Sequence, residues 1–165
     1  MLLRAAIGAG LAVGALALTG CGGSSSPSAA DQTVRRLAAL YEIDQIERTW
    51  HQAASTHNLD LMMSIWAPGA TMSYGGLTYT GKDEIRRLFA GSGAFNPKSH
   101  LISDTPAFKI RTTVNGDVGT LYFQCHYVDP KTRQVVLVVG ADENVKQVHG
   151  TWLITSSTAA TTTLQ

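Results

Sequence analysis

Cysteine is nearly absent: two thiols, Cys21 and Cys125, in 165 residues leave no disulfide framework, no thiolate set for a structural zinc and no CxxC redox pair. A surplus of one charge is missing too. Thirteen Lys+Arg against twelve Asp+Glu give a net +1, with no run of like charge in either half, so nucleic acid and polyacidic partners find no electrostatic footprint. No apolar run reaches the roughly 20 residues that a membrane-spanning helix needs, and no internal repeat is present. At about 100–200 residues per domain the length holds one globular domain and not two.

What is there begins with an export signal. In residues 1–20 Arg4 is the only charge, and Ile7 to Leu18 is apolar apart from glycine, the pattern of a secretory signal's short hydrophobic region. The stretch closes on Leu18-Thr19-Gly20-Cys21. This resembles the lipobox of bacterial lipoproteins, in which small residues precede a cysteine that takes diacylglycerol before the signal is cut off. The alternative is a generic signal peptide with a chance cysteine. Residues 22–30, rich in Gly, Ser, Pro and Ala, suit a flexible tether between anchor and domain. The organisation expected is therefore a signal peptide 1–20, a tether 21–30, a folded domain 31–158 and a tail 159–165. Cys21 is the expected lipidation site, placing the protein on the extracytoplasmic face of a bacterial membrane. Loss of Arg4 leaves twelve basic and twelve acidic residues, so attachment rests on acyl chains such as palmitate and not on a polybasic patch.

From Asp31, a plausible N-cap, to about Asn58 there is no Pro or Gly, and Val34, Leu37, Tyr41, Ile43, Ile46, Trp50 and Ala53 recur mostly at three- and four-residue spacing. This predicts a long amphipathic helix. A second helix is expected over Leu59–Trp66, stopped by Ala67-Pro68-Gly69, then a hairpin of Thr71–Tyr74 and Leu77–Thr80, and a third helix from Gly81 to Phe89. After His100 the pattern is strand: His100–Asp104, Ala107–Val114, Val118–Asp129, Gln134–Val148 and Thr151–Thr158, separated by short turns such as Asn115-Gly116 and His149-Gly150. The tail from Thr158 reads either as a last strand or as frayed. Helices followed by hairpin-linked strands make an α+β pattern.

The order of elements and several motifs resemble the SnoaL-like branch of the nuclear transport factor 2 (NTF2-like) superfamily. These are Trp50…Asn58-Leu59-Asp60…Ile65-Trp66-Ala67-Pro68-Gly69, then Tyr79-Thr80-Gly81-Lys82-Asp83-Glu84-Ile85, Ser99-His100 and Gly150-Thr151-Trp152. The resemblance implies a cone-shaped fold in which three N-terminal helices pack on a strongly curved antiparallel sheet and enclose a pocket. Members include scytalone dehydratase, hexachlorocyclohexane dehydrochlorinase, ketosteroid isomerase and many binding domains, so the fold does not decide the function.

Carried over by position, the resemblance implies that His100 stands where the dehydratase and dehydrochlorinase keep a catalytic histidine, His126 where the dehydratase has its second, and Tyr74 where a tyrosine holds water. Ser55 stands where both place the carboxylate that orients the histidine. Asp142 approximates the isomerase's oxyanion-hole acid, Trp50 would border the pocket, and Trp50, Ser55 and Trp66 are the ligand-binding candidates, with a core role as the alternative for the two tryptophans. A histidine is a credible general base near neutral pH, and abstraction beside a carbonyl needs a donor where charge develops. His100 as base, His126 and Tyr74 as donors and Asp142 as the tautomer-fixing partner would make a cofactor-independent, metal-free lyase or isomerase for a small aromatic or polyketide-like substrate. On the other reading His100 and His126 are ordinary strand histidines, and the protein binds a small hydrophobic ligand as a non-catalytic lipoprotein or degenerate enzyme. The missing carboxylate at Ser55 tips the balance to binding. Cys125 reads as a small buried hydrophobe, His51 and His57 as a solvated helix face without metal spacing, and Asp60 as a cap or ion-pair residue. Many relatives pair through their sheets, which implies a homodimer.

Overall fold

The computed structural model describes residues 26–163. Helix α1 runs Ala29–Ser55, α2 Leu59–Ser64 and α3 Lys82–Gly91; the strands are β1 Trp66–Tyr74, β2 Leu77–Thr80, β3 Ile102–Asp104, β4 Arg111–Asn115, β5 Val118–Asp129, β6 Gln134–Val148 and β7 Thr151–Thr163. The helix count, β2, β5 and β6 stand as read from the sequence. Several boundaries move, each for a local reason. Ser28, not Asp31, caps α1: its hydroxyl accepts the Asp31 N–H while the Asp31 carboxylate accepts the Ser28 N–H, both at 3.1 Å, a reciprocal box that fixes the start. The helix ends at Ser55 because Asn58 is committed to α2, where its side-chain oxygen accepts the Leu61 N–H at 2.9 Å. Trp66 opens β1 instead of closing α2, and the strand passes Pro68 where its pairing with β7 is irregular, a position that tolerates a missing N–H. Residues 107–109 form a 3₁₀ turn before β4. Residues 159–163 continue β7 and pair with β6 as far as Leu137.

The strands form one sheet in the order β2-β1-β7-β6-β5-β3, with β4 also on β5. It is mixed and not wholly antiparallel, because β1 runs parallel to β7. Those two strands are joined through the rest of the domain, so no hairpin constrains their sense. Helix α1 crosses the concave face with Ile43, Ile46, Trp50 and Ala53 buried. Trp50 sits edge-on to Phe89 at 5.2 Å and to Phe123 at 5.4 Å. Val34, Leu37 and Tyr41, expected on that same face, are 61–66% exposed. At 100° per residue Tyr41 and Ile43 point about 200° apart, so the early apolar positions share a stripe with one another but not with the buried face.

Candidate functional site

Inward side chains of β1, β6 and β7, with Tyr127 of β5, form one wall of a cavity of about 460 Å³; Trp50 of α1, α3 and the Gly91–Ala94 segment form the other. Met72, Phe89, Leu101, Leu137, Val139 and Ala159 make its lining largely apolar. The polar groups are few. Tyr74 Oη accepts the Thr161 hydroxyl at 2.9 Å, which leaves its own proton to donate. Trp50 Nε1 is buried without an acceptor, and Tyr127 brings a second phenol. Among the described residues no carboxylate, lysine, arginine or histidine lines this space, so the cavity suits a small hydrophobic molecule that carries a hydrogen-bond acceptor.

Of the residues singled out from the sequence, Tyr74 and Trp50 reach this cavity and the others do not. Along β5 the buried residues are Leu121, Phe123, Cys125 and Tyr127, while Tyr122, Gln124 and His126 alternate onto the opposite face. His126, expected to act as a donor in the pocket, thus faces away from it, and β5 reaches the cavity through Tyr127 of its apolar face. On β6 Asp142 is exposed for the same reason, and its neighbour Glu143 points inward. His100 precedes β3, stays half exposed and faces Asp129 with Nε2 3.3 Å from the carboxylate. That carboxyl is held below its usual range chiefly by the Lys131 N–H, with His100 adding to the effect. His100, His126, Tyr74 and Asp142 therefore do not assemble into one site. Ser55 is engaged by β3: its hydroxyl accepts the Ser103 N–H at 2.9 Å. The helix position that would hold a carboxylate thus meets Ser103, three residues beyond His100. Trp66 is wholly buried, 6.1 Å from Trp50 and outside the lining. Asp60 pairs with Arg86 at 2.7 Å.

Behind the cavity lies a polar cluster that the sequence reading passed over. His51 is buried and not solvated. Its Nδ1 lies 2.6 Å from Ser103 Oγ, and its Nε2 lies 2.7 Å from Glu47 Oε1 and 2.5 Å from Thr105 Oγ1. Thr105 passes its own proton to the Gln124 carbonyl at 2.9 Å. Cys125, buried as expected, places its sulfur 2.7 Å from Ser103 Oγ and 3.6 Å from His51 Nδ1. Burial opposes charge on His51, but the contacts with Cys125 and Glu47 outweigh it and push its pKa up to about 9, so the ring is an imidazolium at neutral pH. Burial, and then Cys125, raises the Tyr127 phenol well above its ordinary value. Deeper in the core, burial pushes Glu143 up to about 8 against the opposing Ser157 hydrogen bond. Ser157 Oγ donates to its Oε1 at 3.0 Å while Oε2 has no partner. The Glu47-x-x-x-His51 spacing was a visible helical pair; that it is buried was not. His57 is likewise not simply solvated, with ring nitrogens 2.9 Å from the Ala94 carbonyl and 3.2 Å from that of Ser99.

Comparison with known proteins agrees with the fold. The model of the SnoaL-like domain matches residues 35–158. An NTF2-like protein with a cystatin-like fold from Novosphingobium aromaticivorans superposes with a TM-score of 0.66 at 16% identity, over 81% of this chain and 89% of its own. A hexachlorocyclohexane dehydrochlorinase gives 0.61 at 18% identity, over 81% and 93%. An NTF2-like protein of unknown function from Pseudomonas putida gives 0.65 at 13%, over 75% and 87%. At such identities the likeness is one of fold. No curated protein matches the chain.

Proposed function

The chain belongs to the SnoaL-like domain family, and on that premise we propose that it is a membrane-anchored lipoprotein whose cavity binds a small hydrophobic ligand. The observation that carries the reading is the composition of the cavity wall: about 460 Å³ of mostly apolar surface, with the Tyr74 phenol free to donate at its edge. A volume in this range is typical of small-ligand sites. Elimination run by His100 draws no comparable support, since neither His100 nor His126 is a wall residue. Cys21, the proposed acylation site, lies outside the described residues. A homodimer through the sheet would rest on the outward face of β5 and β6, where Arg111 stacks over Tyr122 at 3.8 Å and Val138 is half-buried.

Binding of an environment-sensitive naphthalene probe tests the cavity. Val139→Trp fills it from a strand position that accepts aromatic residues, and should weaken binding at least about tenfold, or about 1.4 kcal/mol. His100→Ala and His126→Ala should leave binding unchanged. Equal affinity in the Val139→Trp protein, with its fold intact, would place the probe elsewhere and remove the proposal.

A further inference from the structure

The first turns of α1 reach the end of the sheet, where Gln32, Arg35, Arg36 and Ala39 border a groove with the β4–β5 turn. Residues 29–38 are all exposed, and within this stretch and the turn after it Val34, Leu37 and Tyr41 are 66%, 61% and 66% exposed. Spaced three and four apart, they form one stripe on the side of the helix facing away from the domain. The other exposed large apolar side chains, Leu77, Ile102, Phe108 and Val118, come singly from separate elements and need no partner.

We propose that this half of α1 lies on the membrane surface, with Val34, Leu37 and Tyr41 seated between lipid headgroups and acyl chains. The inference rests on lipid anchoring at Cys21. The Ser28 cap is the seventh residue after Cys21, a reach of at most about 25 Å. The anchor would keep this part of the helix within that distance of the bilayer, where a tyrosine beside aliphatic residues suits the interfacial boundary. Over residues 29–42 Asp31 and Glu42 balance Arg35 and Arg36, so the contact is apolar in kind and independent of anionic lipid. A second copy of the chain fits less well. Three apolar positions over two turns fall short of the three to four heptads that specify a coiled coil.

The test uses the full chain in its membrane, with Leu37→Cys carrying an environment-sensitive fluorophore. Lys131→Cys, in the turn at the end of β5 away from this part of the helix, serves as the reference. Cys125 is fully buried and Cys21 is acylated in the proposal, so the introduced thiol takes the label. The expected result is a blue-shifted emission at position 37 and at least threefold less quenching by aqueous iodide than at position 131, unchanged by a wash in high salt. Free quenching at position 37 while the protein stays in the membrane overturns the contact. The anchor is read separately by Cys21→Ala, which should move the protein to the soluble fraction and expose the label. Should that variant stay on the membrane with position 37 still shielded, the anchor is refuted and the lipid contact supported. Shielding that grows with concentration in the lipid-free variant assigns the stripe to a second copy and overturns the proposal.

Discussion

Glu143 and His51 are both held in their protonated forms by the fold, and the two push stability in the same direction with pH. Glu143 has its folded pKa raised from 4.5 to about 8. Below 4.5 it carries no ionisation penalty; as pH rises towards 8 the unfolded chain sheds the proton that the folded one keeps, and stability falls. His51 is raised from 6.5 to about 9, so its contribution is complete below 6.5 and is lost as pH climbs through 9. The thermal midpoint should therefore decline steadily between about pH 5 and pH 9. At about 1.4 kcal/mol per unit the Glu143 part amounts to at most about 5 kcal/mol. Glu143→Gln should flatten the lower part of this slope and His51→Gln the upper part, each followed by urea denaturation at several pH values. An unchanged slope in Glu143→Gln would mean that the carboxyl ionises freely in the folded state.

At the scale of elements, β5 is held between β4 and β6 with α1 lying across it, and Gly119 is where these meet most closely. A Cβ there would stand 2.5 Å from the Thr113 carbonyl oxygen and 3.0 Å from the Ile43 Cδ1. A backbone oxygen cannot step aside without moving β4. Gly119→Ala should therefore cost about 2 kcal/mol or more in chemical denaturation, and loosen β4 before the rest. Gly140→Ala on the next strand meets nothing closer than 3.9 Å and should be near neutral. Equal effects of the two substitutions would show that β4 adjusts freely. The helical elements follow the same logic of local commitment: α1 stops where Asn58 is needed as a cap, and Gly81, with φ at 79°, stands before α3 where few other residues could.

For the whole molecule, the buried core among the described residues runs from Ile43 to Ala159, well after residues 1–25. Deleting those residues should leave a soluble protein with a single cooperative unfolding transition of the same midpoint as the full chain in detergent. A lost or broadened transition would make the tether structural. Because the start of α1 and Trp50 lie about 30 Å apart along the helix axis, the cavity would stand well away from the proposed anchor.

Much of the architecture was legible in the chain because it follows from local chemistry. The turns at Asn115-Gly116 and His149-Gly150 bound β5 and β6, and the two-residue alternation of β5 separated Leu121, Phe123 and Cys125 from Tyr122, Gln124 and His126. The fold class, the three helices and the place of Tyr74 beside a pocket came from the same signals and the resemblance they carried. Alternation, however, says only that a strand has two faces. Which face turns concave is decided by what packs against it, and α1 lays Trp50 on the apolar face of β5, sending His126 and Asp142 outward. Likewise the i, i+4 pair of Glu47 and His51 was visible, but its burial depended on β3 supplying Ser103, and the residue after the strand, Thr105, from more than fifty residues away. The same holds for Ser55, whose partner is Ser103 and not His100, and for β1, which lies parallel to a strand at the other end of the chain. Periodicity is a property of consecutive residues, whereas inside and outside are properties of the packed sheet, and only the tertiary structure assigns them.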